Sequence, residues 1–331
     1  MTAREYPVFT VTPKAERSLR AGHPWVYGEE VTAVEGAYQN GDMVDVVSNK
    51  GRYLGTGWVN DHSKIRVRII SRNANDTFDE AFFRRRVCYA LNYRKTVMGP
   101  VDYRCCRLIF GEADQFPGLT VDRFENILVT QVLSLGMERR KDWVYRALVE
   151  LLREDDEQID AIYERNDVAI RTLEGLEQGK GFYQMEGLKT DLSGHVTITE
   201  NGIKYDVDYI EGQKTGFFLD QKYNRQAAAK LARGRRVLDC FTHTGAFALN
   251  AAAAGAEHVT AVDVSAFALE LAAENGKRNG LTNLDYKCAD VFDLLTEMAK
   301  EKKCDYDYII LDPPAFTKSR ATAKNAYHGY K

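Results

Sequence analysis

The chain has 331 residues, 44% of them hydrophobic and 11% aromatic, with a formal net charge of −3. That length exceeds one ordinary core, so two or three domains are expected, and the apolar content excludes a disordered chain. No apolar run reaches the roughly 18 residues of a membrane helix. Nor does Met1-Thr-Ala-Arg-Glu-Tyr6 carry an export signal, so a cytoplasmic protein is expected.

Charge divides as +2 over residues 1–75, −4 over 76–185 and −1 over 186–331. A nucleic-acid binder with that balance needs a local basic face. The six cysteines, at 88, 105, 106, 240, 288 and 304, form no Cys-x-x-Cys pair. Zinc ligation is therefore unsupported, no metal site is expected, and reduced thiols are the default. Cys105-Cys106 suits buried packing.

Residues 1–75 show short β-strands with turns. Asp42–Ser48, Tyr53–Val59 and Ile65–Ile70 are the strand candidates, and Glu16–Gly22 reads as a short helix closed by Gly22. Residues 76–185 start a new unit. A helical repeat carries Phe82, Phe83, Val87, Ala90 and Leu91. Strands are expected at Arg107–Phe110, Leu119–Asp122 and Ile127–Leu133. A helix follows at Trp143–Leu152, then strands at Ala161–Tyr163 and Val168–Ile170, giving an α+β layer.

Residues 186–331 open with a hairpin, Val196–Tyr209, whose alternation breaks at Asn201-Gly202. Thr215–Asp220 leads into a helix from about Gln221 to Leu231. Strands at Arg236–Cys240, His258–Asp263, Asn283–Cys288 and Tyr306–Asp312 then alternate with helices near Ala246–Ala254, Ala266–Asn279 and Val291–Lys300. This alternation predicts right-handed crossovers and a parallel, Rossmann-like α/β sheet. A doubly wound sheet normally continues past a fourth strand. The sequence, which stops at Lys331, is therefore expected to be a C-terminally truncated piece of a longer protein.

The chemistry concentrates at the ends of these strands. Asp239–Gly245 is the first strand–turn–helix junction. It lacks the Gly-x-Gly-x-x-Gly of dinucleotide sites, and a carboxylate there suits a cationic ligand better than a phosphate. S-adenosylmethionine, with its ammonium and sulfonium, meets that requirement. Asp263 is placed to accept two ribose hydroxyls, or to cap the helix that starts near Ser265. Asp290 suits the adenine amino group with Val291 against the ring, and suits equally a helix cap.

Asp312-Pro-Pro-Ala-Phe316 is the most specific motif. Its prolines remove donors and hold the backbone extended, and Phe316 can stack on a flat base. Arg84-Arg-Arg86 and Lys64, Arg66 and Arg68 can track phosphates, though a solvated charged face is the plainer reading. His23 and His243 read as packed structural residues.

Together these motifs resemble the class I S-adenosylmethionine-dependent 23S ribosomal RNA cytosine-C5 methyltransferases that begin with a PUA domain. Lys14–Tyr27 is similar to the start of that family's PUA module. Arg107–Asp122 resembles its central domain, and Glu211–Gln221 the segment before its cofactor strand. The resemblance implies a PUA-like RNA-binding domain at 1–75, a central α+β domain at 76–185 and the methyltransferase domain at 186–331.

It also implies roles for individual residues. Asp239, Phe241, Thr244 and Gly245 would line the methionine end of the cofactor, with Asp263 at the ribose and Asp290 at the adenine. Gln213 and Gln221 would reach the cofactor from the preceding segment. Asp312, Pro313 and Phe316 would receive a flipped base of large-subunit ribosomal RNA. A homodimer is a further expectation.

In that family a nucleophilic cysteine follows the Asp-Pro-Pro motif. None of the six cysteines here holds that position, so the chain by itself is expected to be inactive. Methylation of a base nitrogen and a non-catalytic RNA-binding role are the alternatives, and a dehydrogenase is more distant.

Overall fold

The computed structural model describes residues 5–302, 305–317 and 327. Cys304 lies outside the described residues. The chain forms two compact units, Met1–Val196 with Val207–Phe217, and Thr197–Asp206 with Phe218–Lys331.

In the first unit the β-rich segment comprises β1 (Val8–Val11), α1 (Pro13–Arg20), β2 (Trp25–Tyr27), β3 (Val31–Glu35), β4 (Met43–Ser48), β5 (Tyr53–Val59) and β6 (Ile65–Ser71). The sheet order is β2-β6-β5-β4-β1-β3, with β1 and β4 parallel. Its buried face holds Phe9, Val11, Leu19, Val44, Val46, Val59 and Val67. Helix α1 starts three residues before the expected position because Thr12 caps it, accepting the Ala15 N–H at 3.3 Å, and Pro13 occupies the first turn.

The central segment comprises α2 (Glu80–Val97), α3 (Pro100–Tyr103), β7 (Cys105–Phe110), β8 (Leu119–Phe124), β9 (Ile127–Val132), α4 (Leu135–Glu138), α5 (Lys141–Glu154), β10 (Ala161–Asn166) and β11 (Gly179–Phe182). Its sheet runs β11-β10-β9-β8-β7. Phe82, Phe83, Leu108, Leu128 and Leu148 fill its core, to which Met43, Trp58 and Ile70 also contribute.

The strand expected at Val168–Ile170 is instead part of a 3-10 helix, Ala169–Glu174, ended by Gly175 at φ 72. Arg171 decides this locally. Its buried guanidinium donates to the Glu177 carbonyl at 2.7 Å and to Glu138 at 3.0 Å. A helical turn delivers it to those partners. Strands β1, β2, β3 and β11, three to five residues long, add to the expected set.

Hairpin strands β12 (His195–Glu200) and β13 (Ile203–Asp208) join through Asn201 at φ 53 and Gly202 at φ 80, the left-handed pair that a two-residue turn requires. The second unit continues with α6 (Lys222–Ala229), β14 (Arg236–Cys240), α7 (Ala246–Ala253), β15 (His258–Asp263), α8 (Ala266–Arg278), β16 (Leu284–Cys288), α9 (Val291–Glu301) and β17 (Tyr308–Leu311). All pairings in the β16-β15-β14-β17 sheet are parallel. Val237, Leu238 and Cys240 are fully buried, as strands covered on both faces require.

Candidate active site

The chain leaves β14 toward β15 on one side and returns at β17 on the other. Such a reversal opens a crevice at the carboxyl ends of the strands, where open α/β sheets bind ligands. Cys240 pairs in register with Val262 and Leu311, so Phe241, Asp263 and Asp312 each follow the same level of the sheet.

Asp239 is 1% exposed, and its carboxylate accepts the Thr242 hydroxyl at 2.5 Å. Burial is the main cause that pushes this carboxyl up to about 7. Hydrogen bonds from Thr242 and the Ala248 backbone oppose the rise, the Asp312 charge adds to it, and the Arg225 cation opposes it. A buried acid held near neutrality gains most from a cationic ligand.

The turn after β14 is strained. Phe241 at φ 61 and His243 at φ 51 are left-handed non-glycine residues, and Gly245 follows at φ 80. Such conformations cost on the order of 1–3 kcal/mol each and persist only where neighbours fix them. Here the Thr242 N–H donates to the Val262 carbonyl at 3.0 Å and the His243 N–H to Asp263 at 2.9 Å. A Cβ on Gly245 would lie 2.8 Å from the Ala272 Cβ, so its missing side chain faces α8. Thr244 is half-buried in the same turn. The His243 ring meets Phe218 edge-on at 5.6 Å, and burial lowers its pKa, against the pull of Asp263.

Asp263 also accepts the Ser265 N–H at 2.9 Å, while Ser265 itself caps α8. Asp290 is the N-cap of α9, accepting from Phe292 N–H at 2.8 Å and Asp293 N–H at 3.2 Å. Asp312 is exposed, whereas Pro313 and Phe316 are half-buried. Phe241, Phe292 and Phe316 form an aromatic cluster, with centroids 6.0 Å apart for 241–292, 6.4 Å for 241–316 and 5.5 Å for 292–316.

The two glutamines part company. Gln221 precedes α6 and accepts from Asn224 at 2.7 Å in the second unit. Gln213 belongs to the first unit, exposed in a turn where its carbonyl accepts the Gly216 N–H.

Val291, expected against the adenine, is 2% exposed and packs with Leu238, Cys240 and Val262, whereas its neighbour Phe292 is 45% exposed. The helical phase of α9 turns one inward and the other out. Sequence reasoning also missed Thr242 and the buried Glu200–Arg225 pair at 2.6 Å, in which Arg225 also donates to the Phe218 carbonyl. Arg225 sits among Lys222, Asn224 and Gln226 at the polar start of α6, so no sequence signal marked it as buried.

The arginines considered for phosphate tracking have partners within the chain. Arg84 pairs with Glu154, Arg85 with Asp76, Arg66 with Asp61 and Arg68 with Glu174, while Arg86 bonds Gln115 and lies over Phe82. Lys64 is exposed. Cys240 is fully buried, and burial pushes its thiol up to about 12, the reverse of the exposed, low-pKa thiolate that nucleophilic attack uses.

Comparison with known proteins gives the family. Residues 9–72 match a PUA-like domain, and residues 182–329 an S-adenosylmethionine-dependent methyltransferase. Ribosomal RNA large subunit methyltransferase I of Photobacterium profundum is 42% identical over 96% of this chain and 78% of that protein. The chain belongs to the ribosomal RNA large subunit methyltransferase I family. The Shewanella denitrificans relative of the same name is also 42% identical, over 96% of this chain and 79% of its own length.

A solved S-adenosylmethionine-dependent methyltransferase from Streptococcus mutans shares the fold, with a TM-score of 0.77 at 23% identity over 96% of this chain and 80% of that one. Membership makes S-adenosylmethionine the cofactor and the protein a methyltransferase, with a PUA-like module followed by an α/β methyltransferase fold. Among the described residues, no helix is long and apolar enough to cross a membrane.

Proposed function

We propose that this chain serves methylation of large-subunit ribosomal RNA at C5 of a cytosine, together with the cysteine that the resemblance places after Asp312-Pro-Pro-Ala-Phe316. The names of its relatives support the RNA, and the resemblance to cytosine-C5 enzymes supports the atom. The observation that carries the reading is the convergence of Asp239, Asp263 and Asp312 at the carboxyl ends of three adjacent parallel strands.

The site fits its cofactor. When bound, S-adenosylmethionine supplies a methyl group activated by sulfonium charge. Asp239 offers a buried carboxylate to the cationic end, beside Phe241, Thr244 and Gly245, and Gln221 adds an amide at the start of α6. Each carboxylate has about four acceptor positions, so Asp263 can hold the His243 and Ser265 N–H groups and still accept ribose hydroxyls. Val264 and Phe292, 64% and 45% exposed, present apolar faces suited to adenine, and Asp290 accepts from its amino group. Gln213, in the first unit, is carried as a cofactor contact on the resemblance alone.

Phe316 stacks on the flipped base. Asp312 accepts from an exocyclic amino group, and Pro313 and Pro314 keep donors away from it, which suits cytosine N4. The resemblance assigns attack on C6 to a cysteine after this motif, and Cys240 does not serve.

We take residues 1–75 as the RNA-holding module, 76–185 as the central one and 186–331 as the catalytic one, working in the cytoplasm. The exposed stripe Tyr89, Tyr93 and Val97 on α2 supports pairing of two copies. Sedimentation of the purified chain tests that pairing.

The functional test takes the chain joined to the cysteine-bearing segment that the family carries after the Asp-Pro-Pro motif, incubates it with labelled S-adenosylmethionine and large-subunit ribosomal RNA, and identifies the product nucleoside. 5-Methylcytidine supports the reading. A ring- or amino-nitrogen product replaces it with the nitrogen alternative. RNA binding without cofactor binding replaces it with an adaptor role.

A further inference from the structure

We propose that Phe292 is a positioning residue that couples cofactor occupancy to the placement of Phe316. The inference rests on the proposed reading, in which adenine lies beside Asp263 and Asp290 and Phe316 faces the target base. Phe292 follows the cap residue Asp290 by two positions, and its N–H is held by that carboxylate at 2.8 Å. Its backbone is therefore fixed by the same acid that meets the adenine. Its ring is nearly half exposed and does not fill the core, which Val291 and Leu294 occupy instead.

Among the described residues the ring packs against two other aromatic rings. It meets Phe316 at 5.5 Å and Phe241 at 6.0 Å, closer than those two rings approach each other at 6.4 Å. Phe292 thus bridges the strained turn after β14 and the loop after β17. An adenine packed on its exposed face restricts its rotamer. A restricted Phe292 in turn limits Phe316 through an aromatic contact worth on the order of 1 kcal/mol. Cofactor binding then pre-orders the base-stacking ring before RNA arrives. This is a coupling of two ligands through one side chain, and it is reciprocal.

Hydrogen–deuterium exchange on the 331-residue chain, with S-adenosylhomocysteine as the probe, tests this without requiring turnover. The expected result is that the probe slows the Ala315, Phe316 and Thr317 amides by about fivefold or more, the lower end of site-to-site coupling. In Phe292→Ala, with S-adenosylhomocysteine raised to saturate that variant, the protection disappears while the Asp263–Ser265 turn is still protected. Phe292→Tyr restores it. Phe292→Leu keeps apolar bulk without a ring, and should remain uncoupled while preserving the fold.

Protection of residues 315–317 that survives in both Phe292→Ala and Phe292→Leu overturns the coupling and leaves the cofactor reading intact. Absence of protection at residues 315–317 in the unmodified protein, with Asp263–Ser265 protected, overturns it as well. Failure of the probe to protect either segment overturns the cofactor placement itself, and the coupling with it.

Discussion

Asp263 accepts the His243 N–H across 2.9 Å, so the acid at the tip of β15 holds in place the strained turn that follows β14. One side chain thus serves the turn and, in the proposed site, the ribose. Asp263→Ala should weaken S-adenosylhomocysteine binding by about 10- to 100-fold, the range for hydrogen bonds to a charged group. Asp263→Asn keeps one carbonyl acceptor and should lose less. Titration calorimetry measures both. Equal affinity in Asp263→Ala and the unmodified chain would remove Asp263 from the site.

Asp239 makes a pH prediction whose sign is fixed by its surroundings. Its folded carboxyl ionises near 7, above the ordinary value of 3.8, because it is buried. The folded state therefore holds an extra proton between those values, so folding stability falls as pH rises from 3.8 to about 7 and levels off above that. Asp239→Asn removes that slope, so its stability relative to the parent should improve from pH 5 to pH 8 in urea titrations. A cationic ligand favours the ionised form. Cofactor binding at pH 6.5 should then release a proton, visible as buffer-dependent heat that Asp239→Asn lacks.

The sheet and its acids were legible because buried parallel strands leave long apolar runs that end abruptly, as Val237–Asp239 and Ile309–Asp312 do. The side chains that complete the site were not legible. Whether Val291 or Phe292 faces outward depends on where Asp290 starts α9, and a shift of one residue exchanges them. Thr242 reaches Asp239 from a turn in which Phe241 and His243 are left-handed, and no composition signal announces a left-handed phenylalanine. Likewise Val168–Ile170 has strand composition, but the partners of Arg171 fold it into a helical turn.

Gly245 should tolerate no side chain, for two separable reasons. Its φ of 80 strains any other residue, and a Cβ there would lie 2.8 Å from the Ala272 Cβ. Gly245→Ala is expected to cost about 2–4 kcal/mol in urea unfolding, combining backbone strain with overpacking. Adding Ala272→Gly relieves the contact but not the strain, so the double variant should recover part of the loss relative to the Ala272→Gly single variant. Full recovery would show that the φ restriction contributes nothing.

Asp312 separates chemistry from cofactor binding. It is exposed at the end of β17, yet close enough for its charge to be felt at Asp239. In the chain joined to the family's cysteine-bearing segment, Asp312→Ala should lower methyl transfer by about 100-fold or more, as expected when an oriented polar partner of the reacting group is lost. S-adenosylhomocysteine affinity should change little. Transfer at the parental rate would exclude Asp312 from holding the base.

Glu200 and Arg225 link the hairpin to the electrostatics of the site. Glu200 is fully buried, its carboxylate lies 2.6 Å from Arg225, and the Arg225 cation in turn lowers the Asp239 pKa. Glu200→Ala takes away the carboxylate partner of a buried guanidinium and should destabilise the protein by about 3–5 kcal/mol. Because Arg225 then acts on Asp239 with less neutralisation, the Asp239 transition should move to lower pH. Arg225→Met should move it the opposite way, since the cation that opposes the rise is gone. Proton release on cofactor binding, measured across pH in both variants, reads out these opposite shifts. Shifts in the same direction would show that the pair does not tune Asp239.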